Sequence, residues 1–121
     1  MKLLIVEDEL DTSQVISSLL NLANVQADTA TSAEEALHHL QENRYDGVII
    51  DFALPGMDGF GLLSEIRANQ ALKNLPCIAV TAYHSAEVKK QASEAGFDGY
   101  FAKPVSTRNF ANDILELLRR N

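Results

Sequence analysis

The chain has 121 residues, 46% of them hydrophobic and 22% charged, which is typical of a single globular domain. Its formal net charge of −7 argues against nucleic acid as a direct ligand, because phosphate backbones are bound by clusters of Lys and Arg. No apolar stretch reaches the roughly 18 residues of a membrane span, and the N-terminus lacks the regions of a signal peptide. We therefore expect one domain over residues 1–121 without membrane insertion.

A single cysteine, Cys77, lies inside an apolar run and has no partner for an internal disulfide. We expect it to be a buried, inert thiol. Sparse cysteine use is consistent with the reducing environment of the cytoplasm, which is the location that we expect.

Five short runs predict β-strands, the second of them weakly because its apolar residues only alternate with polar ones. Their predicted bounds are Lys2–Val6, Gln26–Ala30, Gly47–Ile50, Cys77–Val80 and Gly99–Ala102. Apolar runs this short, separated by helical stretches, are typical of a parallel sheet that is buried on both faces.

Helical periodicity separates and follows these strands. The first helix is indicated by five apolar residues at helical spacing, namely Val15, Ile16, Leu19, Leu20 and Ala23. Capping residues mark the ends of three others: Ser32 before the second helix, Gly96 after the fourth and Ser106 before the fifth. The third helix follows Asp58-Gly59 and carries Leu62, Leu63 and Ile66.

Five βα units joined by right-handed crossovers predict an α/β, doubly wound (βα)5 domain, in which helices cover both faces of a parallel sheet. We expect the strand order 2-1-3-4-5, a common doubly wound order. The strongly apolar first strand suits a central position, and the weak second strand suits an edge.

Polar side chains follow four of the predicted strands, at the point where each strand ends. They are Glu7 and Asp8 after the first, Asp51 after the third, Thr81 after the fourth and Lys103 after the fifth. Because the carboxyl ends of parallel strands meet at one edge, where ligands bind, these side chains are predicted to share a cleft.

This set suits phosphoryl transfer to a carboxylate. Asp51 is the candidate nucleophile, since a carboxylate can form an aspartyl phosphate. Glu7 and Asp8 would help to hold Mg²⁺, which prefers oxygen ligands. Lys103 would pair with one phosphoryl oxygen and Thr81 would donate a hydrogen bond to another, which supplies the positioning and charge neutralisation that the transfer needs.

These residues resemble the motifs of bacterial response-regulator receiver domains. The resemblance lies in Lys2-Leu3-Leu4-Ile5-Val6-Glu7-Asp8-Glu9, in Asp51-Phe52-Ala53-Leu54-Pro55-Gly56-Met57-Asp58-Gly59, in Thr81-Ala82 and in Tyr100-Phe101-Ala102-Lys103-Pro104. It covers essentially the whole chain and implies a flavodoxin-like fold in a two-component signalling protein, with no output domain in these residues.

The resemblance also implies the chemistry of the site. A histidine kinase or a histidine phosphotransfer protein would donate the phosphoryl group to Asp51. Mg²⁺ would be bound by Asp8, Asp51 and the backbone carbonyl of Ala53, with Glu7 contributing through water. The domain would act on itself at Asp51 and would not be a conventional enzyme.

A switch is implied as well, with Thr81 and Tyr100 as its pair. On phosphorylation Thr81 turns toward the phosphoryl group and Tyr100 fills the space that it leaves. The face formed by the fourth helix, fifth strand and fifth helix would then bind a downstream target or output domain, or support a phosphorylation-dependent homodimer. The resemblance further implies a cis peptide bond between Lys103 and Pro104.

Two positions flank the family's path for hydrolytic water, Ala53 and Tyr83. Ala53 has no polar group to orient that water, and Tyr83 is large enough to cover part of the path. We therefore hypothesise a long-lived phosphoryl state.

Three other interpretations remain open. A Mg²⁺-dependent phosphohydrolase with an Asp nucleophile typically has a second Asp two residues later, where this chain has Ala53. A flavodoxin-like mononucleotide binder would need a phosphate loop after the first strand, where Glu7-Asp8-Glu9 would repel phosphate. A degenerate receiver that binds partners without phosphorylation is the third alternative, and the intact set of site residues argues against it.

Overall fold

The computed structural model describes residues 1–82, 85–105 and 109–120, with only the backbone described for Arg120. Strands and helices alternate along the chain. In order they are β1 (Lys2–Val6), α1 (Leu10–Leu22), β2 (Gln26–Ala30), α2 (Ala33–Glu42), β3 (Gly47–Asp51), α3 (Gly59–Ala68), β4 (Cys77–Thr81), α4 (Ala86–Ala95), β5 (Gly99–Ala102) and α5 (Phe110–Arg120). The predicted Ser106 cap and Tyr83 lie outside the described residues.

The strands form one parallel sheet in the order β2-β1-β3-β4-β5. This order and the doubly wound fold were predicted from the sequence and are confirmed. β1 is buried along nearly its whole length between β2 and β3, whereas β2 lies at the edge and exposes Gln26 and Thr29. The alternating pattern of β2 therefore reflects its edge position.

Two strands are one residue longer than the sequence pattern predicts. β3 includes Asp51 and β4 includes Thr81, both of them buried. The apolar pattern stops before these residues because their side chains are polar, yet their backbones continue the ladder, in which Asp51 pairs with Val80 and Thr81 with Ala102. The ladder thus fixes the backbone of two candidate site residues.

Each face of the sheet has its own core. Leu3 and Ile5 point to the side covered by α1 and α5, whereas Leu4 and Val6 point to the side covered by α2, α3 and α4. Because side chains alternate along a strand, one apolar run supplies both cores. Cys77 is buried in the second of these sides, as predicted, and burial raises the pKa of its thiol to about 12.

The helix ends follow the predicted caps where the structure describes them. The Ser32 hydroxyl accepts a hydrogen bond from the Glu35 amide at 3.1 Å. Asp58 is a further cap that was not predicted, and its carboxylate oxygen accepts a hydrogen bond from the Gly61 amide at 2.8 Å. Gly96 ends α4 in the left-handed conformation, at φ +110°. A glycine is suited to this position because side chains disfavour that conformation.

The predicted apolar face of α1 needs one correction. Ile16 and Leu20 are buried, but Val15 is 47% exposed. Val15 is one residue, or about 100° of rotation, away from Ile16, so it lies at the margin of the buried stripe. Among the helices that the structure describes, none is long and apolar enough to cross a membrane.

Candidate functional site

Three carboxylates meet at the carboxyl edge of the sheet. Glu7 and Asp8 follow β1, Asp51 ends β3, and one oxygen from each lies within 4.8 Å of the others. Glu7 is 2% exposed and Asp51 is 4% exposed, whereas Asp8 lies at the surface. The sequence-predicted cluster therefore forms, with two buried acids and one that faces solvent.

The ammonium group of Lys103 lies between the buried acids. Its Nζ is 2.9 Å from Glu7 Oε2 and 3.2 Å from Asp51 Oδ2. The side chain is only 12% exposed, so both ion pairs are largely shielded from water. Burying two carboxylates is costly unless they are paired, and Lys103 supplies that pairing.

Backbone groups hold the site residues in place. The Ala53 amide donates to Asp51 Oδ1 at 3.3 Å, and the Glu9 amide donates to Glu7 Oε1 at 3.3 Å. The Lys103 amide donates to the Thr81 carbonyl at 2.9 Å, which ties the end of β5 to the end of β4. The Lys103–Pro104 peptide bond is cis, as the family resemblance implied.

The buried acid and the lysine influence each other's protonation. Burial raises the pKa of Glu7 to about 7, with a further increase from Asp51, while the hydrogen bond from Lys103 opposes the rise. Burial acts to lower the pKa of Lys103, but Glu7 and Asp51 outweigh it, so the pKa is raised. Lys103 is therefore charged near neutral pH, whereas Glu7 is partly protonated.

Thr81 and Tyr100 lie on the adjacent strands β4 and β5. Thr81 is fully buried at the last position of its strand, and Tyr100 is half-buried, with its ring centroid 6.3 Å from that of Phe52. Both therefore lie on the side of the site toward α4. Ala53 and Ala82 are exposed at the same edge, so small side chains surround the approach to Asp51.

Two features of the site were not predicted. Glu9 Oε1 lies 3.8 Å from Lys103 Nζ, which adds a third acid around the ammonium group. A run of three acids after a strand could have indicated this. Phe52 packs against Phe60 at 4.5 Å between ring centroids, and its position one residue after Asp51 carries no sequence signal for that contact.

A groove lies at the opposite end of the sheet from the acid cluster. It has a volume of about 890 Å³ and is lined by residues of the connections before β3 and before β4, among them Arg44, Tyr45 and Asn74. The acid cluster and Lys103 lie at the other edge, so none of these candidate site residues lines this groove.

Comparisons with known proteins agree with this geometry. The family model for the response regulator receiver domain matches residues 3–115. Chemotaxis protein CheY-3 of Vibrio cholerae is 33% identical over 121 residues, which cover 99% of this chain and 93% of that protein. The two-component response regulator PhoP of Pseudomonas aeruginosa is 35% identical over 121 residues, which cover 100% of this chain and 53% of PhoP.

Among solved structures, that of a candidate response regulator from Chloroflexus aurantiacus J-10-fl superposes with a TM-score of 0.93 at 33% identity, and 98% of each chain is covered. The same strand order, the acid cluster at the carboxyl edge and a family match over most of the chain lead to one conclusion. The chain belongs to the response-regulator receiver domains of two-component systems.

Proposed function

We propose that this domain accepts a phosphoryl group on Asp51 from the phosphohistidine of a histidine kinase or histidine phosphotransfer protein. A carboxylate oxygen of Asp51 forms the new bond to phosphorus as the bond from phosphorus to the histidine nitrogen breaks. The observation that carries the proposal is the buried Asp51 carboxylate, 3.2 Å from the Lys103 ammonium and beside two further acids. The proposed setting is the cytoplasm.

The donor set fits Mg²⁺. Glu7, Asp8 and Asp51 offer hard carboxylate oxygens within 4.8 Å of one another, and three clustered acids with one lysine leave an excess of negative charge. Asp8, Asp51 and the Ala53 carbonyl would hold the ion, with Glu7 acting through water. When bound, Mg²⁺ would neutralise negative charge between the carboxylates and the incoming phosphoryl group.

The remaining residues position the phosphoryl group. Lys103 is already charged and directed at Asp51, so it can pair with a phosphoryl oxygen without a change of protonation. Thr81 ends the strand beside β3, where its hydroxyl can turn toward the same group. Such fixed donors supply the positioning and electrostatic stabilisation on which phosphoryl transfer mainly depends.

The output of this reaction is a switch and not turnover of a separate substrate. Thr81 turns toward the phosphoryl group, Tyr100 moves into the space that it leaves, and the face formed by α4, β5 and α5 changes its preference for partners. A downstream target protein, an output domain or a second phosphorylated copy would bind that face. By linkage, a partner that prefers the phosphorylated form stabilises its active conformation.

Intact-mass measurement after incubation with acetyl phosphate tests the proposal. We expect a gain of one phosphoryl mass that requires Mg²⁺ and is lost in Asp51→Asn. Asp113→Asn removes an exposed acid on α5 and should keep the gain. If the domain accepts the phosphoryl group only from a protein donor, incubation with a phosphorylated histidine kinase in place of acetyl phosphate should give the same gain in mass. No gain from either donor would overturn the proposal and favour a degenerate receiver.

A further inference from the structure

The guanidinium group of Arg67, near the end of α3, joins segments that precede β4 and β5. Its Nη1 donates to the Leu75 carbonyl at 2.7 Å and to the Lys73 carbonyl at 3.1 Å. Its Nη2 donates to the Gly96 carbonyl at 2.9 Å and to Asp98 Oδ2 at 3.1 Å. One side chain thus fixes the connection before β4 and the connection between α4 and β5.

Asp98 extends this link into the sheet. The same Oδ2 accepts a hydrogen bond from the Cys77 amide at 2.9 Å, and the Asp98 amide donates to the Cys77 carbonyl at 2.8 Å. Hydrogen bonds to charged groups are stronger than neutral ones. The first residue of β4 and the residue before β5 are therefore held together through Asp98.

The connection between α4 and β5 is also held by the side chain of Phe97. Phe97 is 8% exposed, and its ring centroid lies 5.4 Å from that of Phe52 and 5.7 Å from that of Phe60. Its amide donates to the Ala92 carbonyl at 3.1 Å. We call Gly96, Phe97 and Asp98, held by Arg67, the 96–98 anchor.

The rest of α4 is packed far less than a matched helix of the same domain. α2 and α4 each have ten residues and a Ser N-cap whose hydroxyl accepts a backbone hydrogen bond. α2 buries Ala33, Ala36 and Leu40, which are spread along its length. The only fully buried residue of α4 is Ala92, in its C-terminal half.

We propose that Arg67 is a positioning residue for the switch, because it makes the C-terminal end of α4 a fixed pivot. α4 opens and moves at its N-terminal half, next to Thr81, while the 96–98 anchor holds the start of β5 in place. The part of this inference that concerns phosphorylation rests on the proposed function. The pivot itself is a property of the unmodified domain.

Amide hydrogen exchange of the unmodified domain tests the pivot. In the wild type, amides of Lys89, Lys90 and Gln91 should exchange at least about tenfold faster than those of Ala95 and Phe97. In Arg67→Met the ratio of these two exchange rates should fall below about threefold. The amides of Ala95 and Phe97 should exchange faster there, because the charged hydrogen bonds of Arg67 are lost. Amides of β1 report global unfolding and serve as the internal reference.

Two variants separate the anchor from a general loss of stability. Arg44→Met removes an exposed arginine in the connection after α2 and should leave the ratio unchanged. Asp98→Asn keeps the shape and one acceptor oxygen but removes the ion pair, so it should lower the ratio in part, even where Arg67→Met fails to fold. Equal exchange along α4 in the wild type, or uniform acceleration of α4 and β1 in both anchor variants, would overturn the pivot.

Beryllofluoride with Mg²⁺, a mimic of the phosphoryl group, tests the link to the switch. In the wild type, NMR shifts should change for the amides of Lys89 to Gln91 and stay constant for Phe97 and Asp98. In Arg67→Met the changes should extend to Phe97 and Asp98. Large changes at these two residues in the wild type would overturn the inference. If the amides next to Asp51 show no change in NMR shift, the result counts against the proposed function. The ratio of amide exchange rates in the unmodified domain would still test whether the end of α4 is a pivot.

Discussion

Lys103 is the one described cation in contact with the acid cluster, and it is shared by Glu7, Asp51 and Glu9. A single positive charge cannot neutralise these acids together with Asp8. The site therefore keeps an excess of negative charge, part of which is relieved by protonation of Glu7, whose pKa is raised to about 7 mainly by burial. A proton and a divalent cation are thus alternative ways of balancing the same charge.

This competition predicts that Mg²⁺ affinity depends on pH. At about pH 6 Glu7 is mostly protonated, and at about pH 8 it is ionised, so the apparent Kd for Mg²⁺ should fall by up to about tenfold over this interval. Titration of amide NMR shifts with Mg²⁺ at both pH values measures the change.

Glu7→Gln provides the control, because it keeps the shape of the side chain but cannot ionise. Its Mg²⁺ affinity should be weaker at high pH than that of the wild type and nearly independent of pH. A slope of equal size in Glu7→Gln would show that a group other than Glu7 causes the pH dependence. A wild-type Kd that is equal at both pH values would contradict the prediction.

Ala53 leads to a prediction about the lifetime of the aspartyl phosphate. Its side chain is exposed beside Asp51 and has no polar atom that could orient a water molecule. We expect the wild-type phosphoryl group to persist for minutes or longer. Ala53→Asn should shorten its lifetime by about tenfold, because the amide can orient a water molecule for attack on phosphorus. Mass measurement after removal of the donor follows the decay, and Ala82→Ser, directly after the neighbouring strand β4, serves as a control that adds a small polar group. Decay within seconds in the wild type would disprove the expectation.

At the scale of elements, the sequence predicts the fold well because each strand is a short apolar run bounded by helical periodicity. The strand order was taken from a common doubly wound order, and the patterns of two strands suited it, since the apolar β1 is central and the alternating β2 lies at an edge. Strand ends are harder to predict, because Asp51 and Thr81 continue the ladder as polar residues. Val15 shows that apolar spacing alone does not define how wide the buried stripe of a helix is.

The acid cluster was predictable because strand ends in a parallel sheet converge, which converts positions in the sequence into proximity. The ion pair between Arg67 and Asp98 was not, since these residues are far apart in the chain and neither lies at the carboxyl edge of a strand. The contact of Glu9 with Lys103 depends on the exact course of the backbone after β1. The run of three acids after β1 was a partial signal for Glu9, whereas no local pattern indicates the pairing of Arg67 with Asp98.

The start of α3 offers a test of how tightly this helix is fitted against the phosphoacceptor. A Cβ atom at Gly59 would lie 2.6 Å from the Asp51 carbonyl oxygen and 2.9 Å from Phe52 Cα, both backbone atoms. Because backbone cannot yield as a side chain can, Gly59→Ala should lower the free energy of unfolding by about 2 kcal/mol. Urea denaturation measures this change.

Gly61→Ala is the matched control in the same helix. A Cβ atom there would lie 2.7 Å from Met57 Cγ, which belongs to a flexible side chain that can move. Since alanine favours the helix over glycine, this variant should range from unchanged to about 1 kcal/mol more stable. Equal destabilisation of the two variants would show that contact with the Asp51 backbone is not what constrains Gly59.

At the scale of the whole molecule, the acid cluster brings like charges together in a protein whose formal net charge is already −7. Two carboxylates about 4 Å apart repel each other by about 1 kcal/mol in water and by more when shielded from it. The cluster therefore lowers the stability of the metal-free domain, and a bound cation recovers what the repulsion costs. Removal of one acid should thus raise the free energy of unfolding of the metal-free domain and reduce the stabilisation that Mg²⁺ provides.

Asp8 is the residue with which to test this opposition, because it is exposed and has no role in the core. Asp8→Asn should raise the free energy of unfolding of the metal-free domain by about 1 kcal/mol, since the lost repulsion exceeds the roughly 0.3–1 kcal/mol by which an acid near the start of α1 favours the helix. Mg²⁺ should then stabilise the wild type but hardly affect the variant.

Asp11→Asn is the control, because Asp11 is an exposed acid in the first turn of α1. This variant should leave the Mg²⁺ response intact and give no gain in stability. Urea denaturation with a chelator and with Mg²⁺ distinguishes these cases, and an Asp8→Asn domain that is less stable without metal would show that repulsion within the cluster is not the dominant cost.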